Sequence, residues 1–496
     1  MLESAQMALS VLFQPMHLLM FTLGTLLGLF LGVLPGIDAV CGLAVLLPFC
    51  LVMDPSSALP LILGMASISF TSGPIPSILI GAPGTAGSTA TIVDGYPMAK
   101  RGEAGKAMGA AFTASLIGGL FGALVLTLSI PVIRPLVLMF GSPEFLAMSL
   151  LGISLVAVLC GSYPLRGVIA AYLGVLFSLV GQDPILGMER WGFGIPYLQQ
   201  KMSIVTVALG FFALAEILDL AIAGTRISIN QSSEGKWDGL KETFKHKKLV
   251  LSSSAIGAIV GFMPGLGAAV ACWIAYAWAL LVCKPKDMFG KGDIRGVIAP
   301  EAADNSSVGG ALIPTIAFGI PGGTLMALML SAFWMMGMRP GPELLTKNLH
   351  LVYLIIWTIA LSNILGAAMC FLWTDQIAKL ATIRIQILAP VVIMLIFGGA
   401  LVTTMNIGDL IVVFGFCLLG WGMKQLDWPR PPLLLGFILG PLIERFYFAS
   451  TMVYGWRWIL RPSVLVILAL TVVCIIVGLR IMNRTSRTQA LSGGEK

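Results

Sequence analysis

Charge is scarce in this chain of 496 residues: Asp, Glu, Lys and Arg make up 11% of it, against about 25% in an ordinary soluble domain. No Lys or Arg precedes Lys100, so the N-terminus, MLESAQMALSVLFQPMHLLM, lacks the basic region of a signal peptide and reads as a retained first membrane segment. Histidine occurs only at His17, His246 and His350 and never as HExxH, which argues against a metal-hydrolase site, and no metal ligand set is expected. The Walker-type phosphate loop is missing as well, which excludes ATP hydrolysis by that route. GKGD at Gly290 to Asp293 matches the string of intramembrane aspartyl proteases. It sits among Lys286, Lys291 and Arg295, and no Tyr-Asp pair supplies a second carboxylate. None of the eight cysteines belongs to a CxxC pair, and all read as small core hydrophobes in or beside apolar runs. The formal net charge of +7 is scattered between apolar runs, as membrane loops require, and describes no nucleic-acid surface. A non-enzyme without a cofactor is the expectation.

What is present is apolar. Hydrophobic residues make up 57% of the chain, and nearly every window from Met7 to Leu479 meets the roughly twenty residues that one crossing needs. An all-α polytopic membrane protein with about 10–14 membrane segments is therefore expected.

Two stretches interrupt that pattern. Ser72 to Lys106 carries Pro74, Pro76, Gly81, Pro83, Gly84 and Gly87, expected to break any continuous helix, with hydroxyls at Ser77, Thr85, Ser88, Thr89 and Thr91. Irregular backbone survives at membrane depth only where protein buries it or a wet cavity accepts it. Val308 to Gly341 repeats the design: Pro76-Ser77 matches Pro314-Thr315, Gly81 matches Gly319, and Pro83-Gly84 matches Pro321-Gly322, all at one offset. Upstream, GVLPGIDAV at Gly32 to Val40 aligns with GFMPGLGAAV at Gly261 to Val270, and one insertion of about nine residues reconciles the two offsets. Blocks paired in the same order make an internal duplication.

The organisation that follows is a first membrane repeat over 1–225 with a hairpin at 72–98, and a basic linker over 226–248. A second repeat over 249–462 has its hairpin at 308–338, followed by an extra C-terminal helix over 463–483 and a basic tail over 484–496. Lys and Arg outnumber acids in the linker, which the positive-inside bias places in the cytoplasm. A base-free N-terminus opposite that linker gives the first repeat an odd number of crossings. The repeats are then inverted, with broken helices or re-entrant hairpins near the midplane, as in many secondary transporters.

Each Pro-Gly break precedes residues that can start a helix, so each can aim free N–H groups and about half a positive charge into the protein. The substrate candidates are Ser77, Gly81, Pro83, Gly84, Thr85, Ser88 and Thr89 from the first stretch. The second contributes Thr315, Gly319, Pro321, Gly322, Gly323 and Thr324. The competing reading is that small residues there only let helices pack closely. Asp38 reads either as an ion ligand or as a helix-start residue, and Asp94 as a functional acid or as a cap or partner of Lys100 or Arg101. Asp304 and Asn305, within PEAADNSSVGG, read as oxygens for a hard cation or as a polar loop. Many hydroxyls, few buried acids and no nearby histidine favour Na⁺ over a proton as the coupling ion, one ion to each gate.

GVLPGI, APGTAGSTATIVDGYPMAKRGEAGKAMG, GFMPGLGA, and FGKGDIRGVIAPEAADNSSVGGALIPTIAFGIPGG followed by GMRPGPELL resemble the large membrane subunit of the tripartite tricarboxylate transporters. The resemblance spans nearly the whole chain. It implies a secondary transporter in a bacterial inner membrane, coupled to Na⁺, that imports carboxylates with a small membrane subunit and a periplasmic solute-binding protein. The alternative is an organic anion transporter that acts without a binding protein. A homo-oligomer is left open.

Overall fold

The computed structural model describes residues 1–34, 36–159, 164–183, 187–223, 234–380, 385–473 and 475–476. Pro35 of the first Pro-Gly break, Cys160, Cys474, the linker up to Ser233 and the basic tail lie outside the described residues. Those described are helical apart from turns and one two-residue strand pair, Gly181–Gln182 with Glu189–Arg190. Six helices are long and apolar enough to cross a membrane by length and composition: Pro15–Val33, Pro55–Ile80, Ala104–Leu138, Ile204–Ile222, Leu349–Leu372 and Arg430–Leu460. Shorter apolar helices such as Ala39–Leu51, Gly267–Val282 and Thr324–Met335 lie between them. This is an all-α polytopic membrane protein.

The element order of the first half recurs in the second. Pro15–Val33, Ala39–Leu46, Pro55–Ile80 and Thr89–Lys100 are answered by Lys247–Phe262, Gly267–Val282, Arg295–Phe318 and Thr324–Met335. In each set the first helix runs parallel to the third along a ladder of glycines. A Cβ on Gly24, Gly28 or Gly32 would lie 2.1, 2.1 or 2.3 Å from the carbonyl oxygens of Leu61, Met65 and Ser69. On Gly257 or Gly261 it would lie 2.3 Å from those of Ala303 and Ser307. Between apolar helices in lipid, such backbone approach supplies the dispersion contact that the hydrophobic effect does not.

The halves also interlock. Arg295–Phe318 lies against Ala104–Leu138, where Gly118 meets the Ala302 carbonyl and Gly309 meets that of Gly122, each 2.2 Å from a built Cβ. Pro55–Ser72 packs in turn on Leu349–Leu372, with Gly366 against Ile68. Every residue from Arg295 to Phe318 is buried, including Glu301, Asp304, Asn305, Ser306 and Ser307. A helix polar on several faces yet enclosed on all of them is unusual on stability grounds alone, because each buried polar group must find a partner or carry a cost.

Three expectations are corrected. Pro74 and Pro76 do not end the first long helix; they open the short helical segment Pro74–Ile80 that continues Pro55–Ser72. At the first positions of a helical segment the missing proline N–H is no loss. PEAADNSSVGG is not a loop: Pro300 to Gly310 lies inside Arg295–Phe318. Asp94 neither caps its helix nor pairs with Lys100 or Arg101. It accepts hydrogen bonds from the Tyr276 hydroxyl (2.9 Å) and from the backbone N–H groups of Gly292 and Asp293 (2.8 Å each), pinning the loop ahead of Arg295.

Two basic residues tie neighbouring segments together. Arg101 donates to the carbonyls of Lys291 (2.5 Å) and Gly292 (2.6 Å), and Lys236 donates to that of Phe371 (3.1 Å). The Lys236 backbone passes beside Gly109, one turn into the helix that begins at Ala104.

Candidate functional site

The two Pro-Gly loops leave their helices in the same way. Gly81 stands at φ 69°, ψ 20° and Gly319 at φ 66°, ψ 27°, the left-handed cap that ends a helix cheaply only at glycine. Each chain then turns back until a second glycine rests on the first helix of its own half. A Cβ on Gly84 would lie 2.2 Å from the Gly32 carbonyl oxygen, and one on Gly322 would lie 2.7 Å from that of Gly261. The Gly265 N–H also donates to the Gly322 carbonyl at 3.2 Å.

This folding-back brings the loops of both halves to one cavity of about 480 Å³. Pro83 to Gly87 form one part of its wall, and Gly322 to Met326 another. Asp38 to Cys41 and Gly265 to Ala269, the two broken-helix turns, complete the inner lining. Three helix N-termini, at Ala39, Gly267 and Thr324, therefore open onto the cavity, beside the loop that leads into a fourth at Thr89. Each carries about half a positive charge, and those at Gly267 and Thr324 also leave N–H groups without a side-chain cap, whereas the one at Ala39 is capped by Asp38. Glu216, Phe212 and Arg430 lie on the remaining side. Phe212 sits in a π-helical segment, Leu209–Leu214, immediately ahead of Glu216. Counting side chains as ionised, the cavity carries two carboxylates against one guanidinium.

The predicted residues divide by place. Pro83, Gly84, Thr85, Gly322, Gly323, Thr324 and Asp38 line the cavity. Asp38 caps the Ala39–Leu46 helix, its Oδ1 accepting the N–H groups of Val40 (3.0 Å) and Cys41 (3.3 Å). Ser77, Ser88, Thr89, Thr315, Gly81, Gly319 and Pro321 are not part of the lining. Ser77 donates to Ser88 at 2.9 Å, and Thr85 and Ser88 hold each other, so these hydroxyls brace the first loop from inside. Thr89 and Thr315 donate to carbonyls of their own segments, Ala86 and Ala311.

Asp304 and Asn305 lie behind the cavity and face different neighbours, as consecutive helical positions do. Asn305 donates to the Thr71 hydroxyl (2.8 Å) and to Asn363 Oδ1 (2.7 Å), while its own Oδ1 is buried without a partner among the described residues. Asp304 is wholly buried; the Cys272 thiol lies beside it as a weak donor, and its carboxylate oxygens have no other hydrogen-bond partner among the described residues. A Cβ on Gly87 would come within 2.1 Å of Asp304 Oδ1, so the acid presses directly on the first loop. One turn earlier, Glu301 accepts from Thr91 (2.5 Å) and Ser115 (3.2 Å).

The family model described as "Tripartite tricarboxylate transporter TctA family" matches residues 18–435, a span that holds both Pro-Gly loops and every lining residue of the cavity. The chain belongs to the TctA family. Among similar proteins is an "Uncharacterized 52.8 kDa protein in TAR-I ttuC' 3'region" of Agrobacterium vitis, 30% identical over 481 residues and covering 95% of each chain. An "Uncharacterized protein in TAR-II ttuC' 3'region" of the same organism is 30% identical over 240 residues, 47% of this chain and 98% of that protein. No solved structure matches.

The loops and helix starts that the sequence singled out all lie within the matched span. Arg430, Glu216 and Phe212 in this TctA chain escaped that reading. The one local signal was the string RPP at Arg430 to Pro432, which places a cation at the first turn of an apolar helix, and nothing in one dimension joins it to Pro83 or Pro321.

Proposed function

We propose that this chain is the large transport subunit of a secondary active, Na⁺-coupled tripartite carboxylate importer, its cavity receiving substrate delivered by a periplasmic solute-binding protein and a small membrane subunit. The carrying observation is the convergence of the two duplicated Pro-Gly loops and the two broken-helix turns on one cavity. Helix starts suit a carboxylate, since N–H groups and dipole ends recognise negative charge without a counter-charge. They supply only about half a charge each, and the lining carboxylates outnumber the guanidinium, so entry of an anion calls for a cation.

Asp304 is the group we assign to that cation. Among the described residues its two oxygens are buried acceptors with only the weak Cys272 thiol beside them, and such groups are held in proteins by pairing or by an ion. Because Asp304 abuts Gly87, the state of the acid acts on the loop that lines the substrate cavity. Asp38, as a helix cap, is the second candidate, and Asn305 contributes through its network with Thr71 and Asn363.

The two halves would be inverted in a bacterial inner membrane, with the end carrying Arg101, Lys236 and Lys291 in the cytoplasm by the positive-inside bias. Uptake of a radiolabelled tricarboxylate into proteoliposomes tests the reading. It is expected to require inward Na⁺ and to rise when the binding protein and small subunit are supplied. Uptake indifferent to the binding protein would leave a transporter that acts alone, and uptake driven by a pH gradient without Na⁺ would overturn the ion assignment.

A further inference from the structure

Among the described residues that line the cavity Arg430 is the one cation, and its guanidinium is only half engaged. Nη2 donates to Glu216 Oε2 at 3.1 Å, and the group lies over the Phe212 ring at 5.3 Å from its centroid. Nη1 is buried and has no hydrogen-bond partner among the described residues. Glu216 does not depend on Arg430 alone. Lys424 donates to its other oxygen at 2.6 Å and also reaches Asp219 Oδ2 at 2.7 Å. The cluster thus holds two acids and two bases with one amino group of a planar, five-donor fork left over. A guanidinium keeps its charge under all working conditions and matches the two oxygens of a carboxylate. A buried donor without an acceptor is costly, which marks Nη1 as a group waiting for one.

We propose that Arg430 anchors one carboxylate of the transported anion through Nη1, with Phe212 as the platform under its guanidinium and Glu216 as the positioning residue that fixes its tilt. This rests on the reading of the cavity as the substrate site. Arg430 enters the cavity from the Arg430–Tyr454 helix, whereas the helix starts at Gly267 and Thr324 belong to other walls. A ligand that satisfies both must carry anionic groups at two places. The site therefore selects di- and tricarboxylates over monocarboxylates, and Arg430 sets that selectivity.

The test is equilibrium binding to the purified full chain in nanodiscs with Na⁺ present, by calorimetry. The probes are citrate, propane-1,2,3-tricarboxylate, acetate and inorganic phosphate. The expected result is that the tricarboxylates bind well above acetate and phosphate. Arg430→Gln should weaken the tricarboxylates by about 10- to 100-fold, the scale of one charge-assisted hydrogen bond, and should collapse their advantage over acetate. Arg430→Lys should restore part of the affinity. Should Arg430→Gln fold poorly because Glu216 loses a partner, the double variant Arg430→Gln/Glu216→Gln removes both charges and is expected to show the same loss of selectivity. Unchanged tricarboxylate binding in these variants, with binding lost in Thr324→Val, would overturn the anchor and leave the cavity reading standing. Phosphate binding equal to that of the tricarboxylates would overturn the carboxylate assignment. A wild-type chain that takes none of the four overturns the anchor and the cavity reading together.

Discussion

The two Pro-Gly loops share a scaffold and differ in chemistry. Both leave a left-handed glycine, Gly81 or Gly319, and both seat a glycine, Gly84 or Gly322, near the backbone of the first helix of their half. Their chemistry then diverges at three places. Thr85 and Ser88 bond each other in the first loop, whereas the Thr324 hydroxyl has no partner among the described residues. Gly87 makes room for Asp304, while Leu325 and Ala66 stand where the repeat would put their counterparts. Asp38 closes one broken-helix N-terminus with its own carboxylate, and Gly267 leaves the other open. The two loops are alike where the backbone is concerned and unlike in their polar groups. On the proposed function, that asymmetry would set the cation at Asp304 and the anion at the open helix start.

The comparison can be broken first at Gly87. Gly87→Ala should drive a methyl group into Asp304, cost roughly 1–3 kcal/mol as an overpacked core does, and abolish Na⁺-dependent uptake. Leu325→Ala, at the equivalent place, should leave Na⁺ dependence in force. Uptake assays with a Na⁺ titration, together with thermal unfolding of each variant, read both effects.

A second break moves the carboxylate. Asp38→Ala removes a helix cap and should destabilise by about 0.5–2 kcal/mol, whereas Asp38→Asn keeps the cap and should cost little. Gly267→Asp should place a competing carboxylate at the open N-terminus and block tricarboxylate binding. Aspartate tolerates the left-handed backbone there (φ 69°) better than most side chains. If Asp38→Asn instead eliminates the Na⁺ response, Asp38 is an ion ligand as well as a cap.

The threonines give a smaller contrast. Thr85→Val should lower stability by about 1 kcal/mol, the net worth of one hydrogen bond, because its hydroxyl accepts from the Ser88 N–H at 3.3 Å. Thr324→Val should leave the melting temperature alone and weaken ligand binding. Equal shifts in melting temperature for the two variants would erase the distinction between a braced loop and an open one. The smallest effect on binding is expected at the caps, where Gly81→Ala and Gly319→Ala should each cost about 1–2 kcal/mol of backbone strain with ligand affinity kept.

Where the repeat is written in glycine and proline, the sequence was readable. The equivalence of Gly81 with Gly319 and of Gly84 with Gly322 follows from one offset, and the structure gives each pair closely similar backbone roles. The membrane class was equally plain, because apolar windows of about twenty residues are the length that one crossing of a bilayer demands. Polar residues misled wherever tertiary packing decides their surroundings. Glu301, Asp304 and Asn305 have the composition of a loop, yet Ala104–Leu138 and Lys247–Phe262 enclose the helix that carries them. Asp94 lies near Lys100 in sequence, but its partners Tyr276, Gly292 and Asp293 come from the second half. Arg430 reaches the cavity only because the last helices of the two halves meet there, a contact with no periodicity to announce it.

The central claim is that both loops line one substrate site, and thiol protection tests it most directly. In a chain carrying Cys41→Ala, single cysteines at Ala86 in the first loop and Thr324 in the second would be labelled with a small methanethiosulfonate reagent under increasing propane-1,2,3-tricarboxylate and saturating Na⁺. One shared site predicts that both positions are protected with the same half-saturating concentration, matching the calorimetric affinity. Protection of only one position, or of neither while calorimetry reports binding, would contradict it.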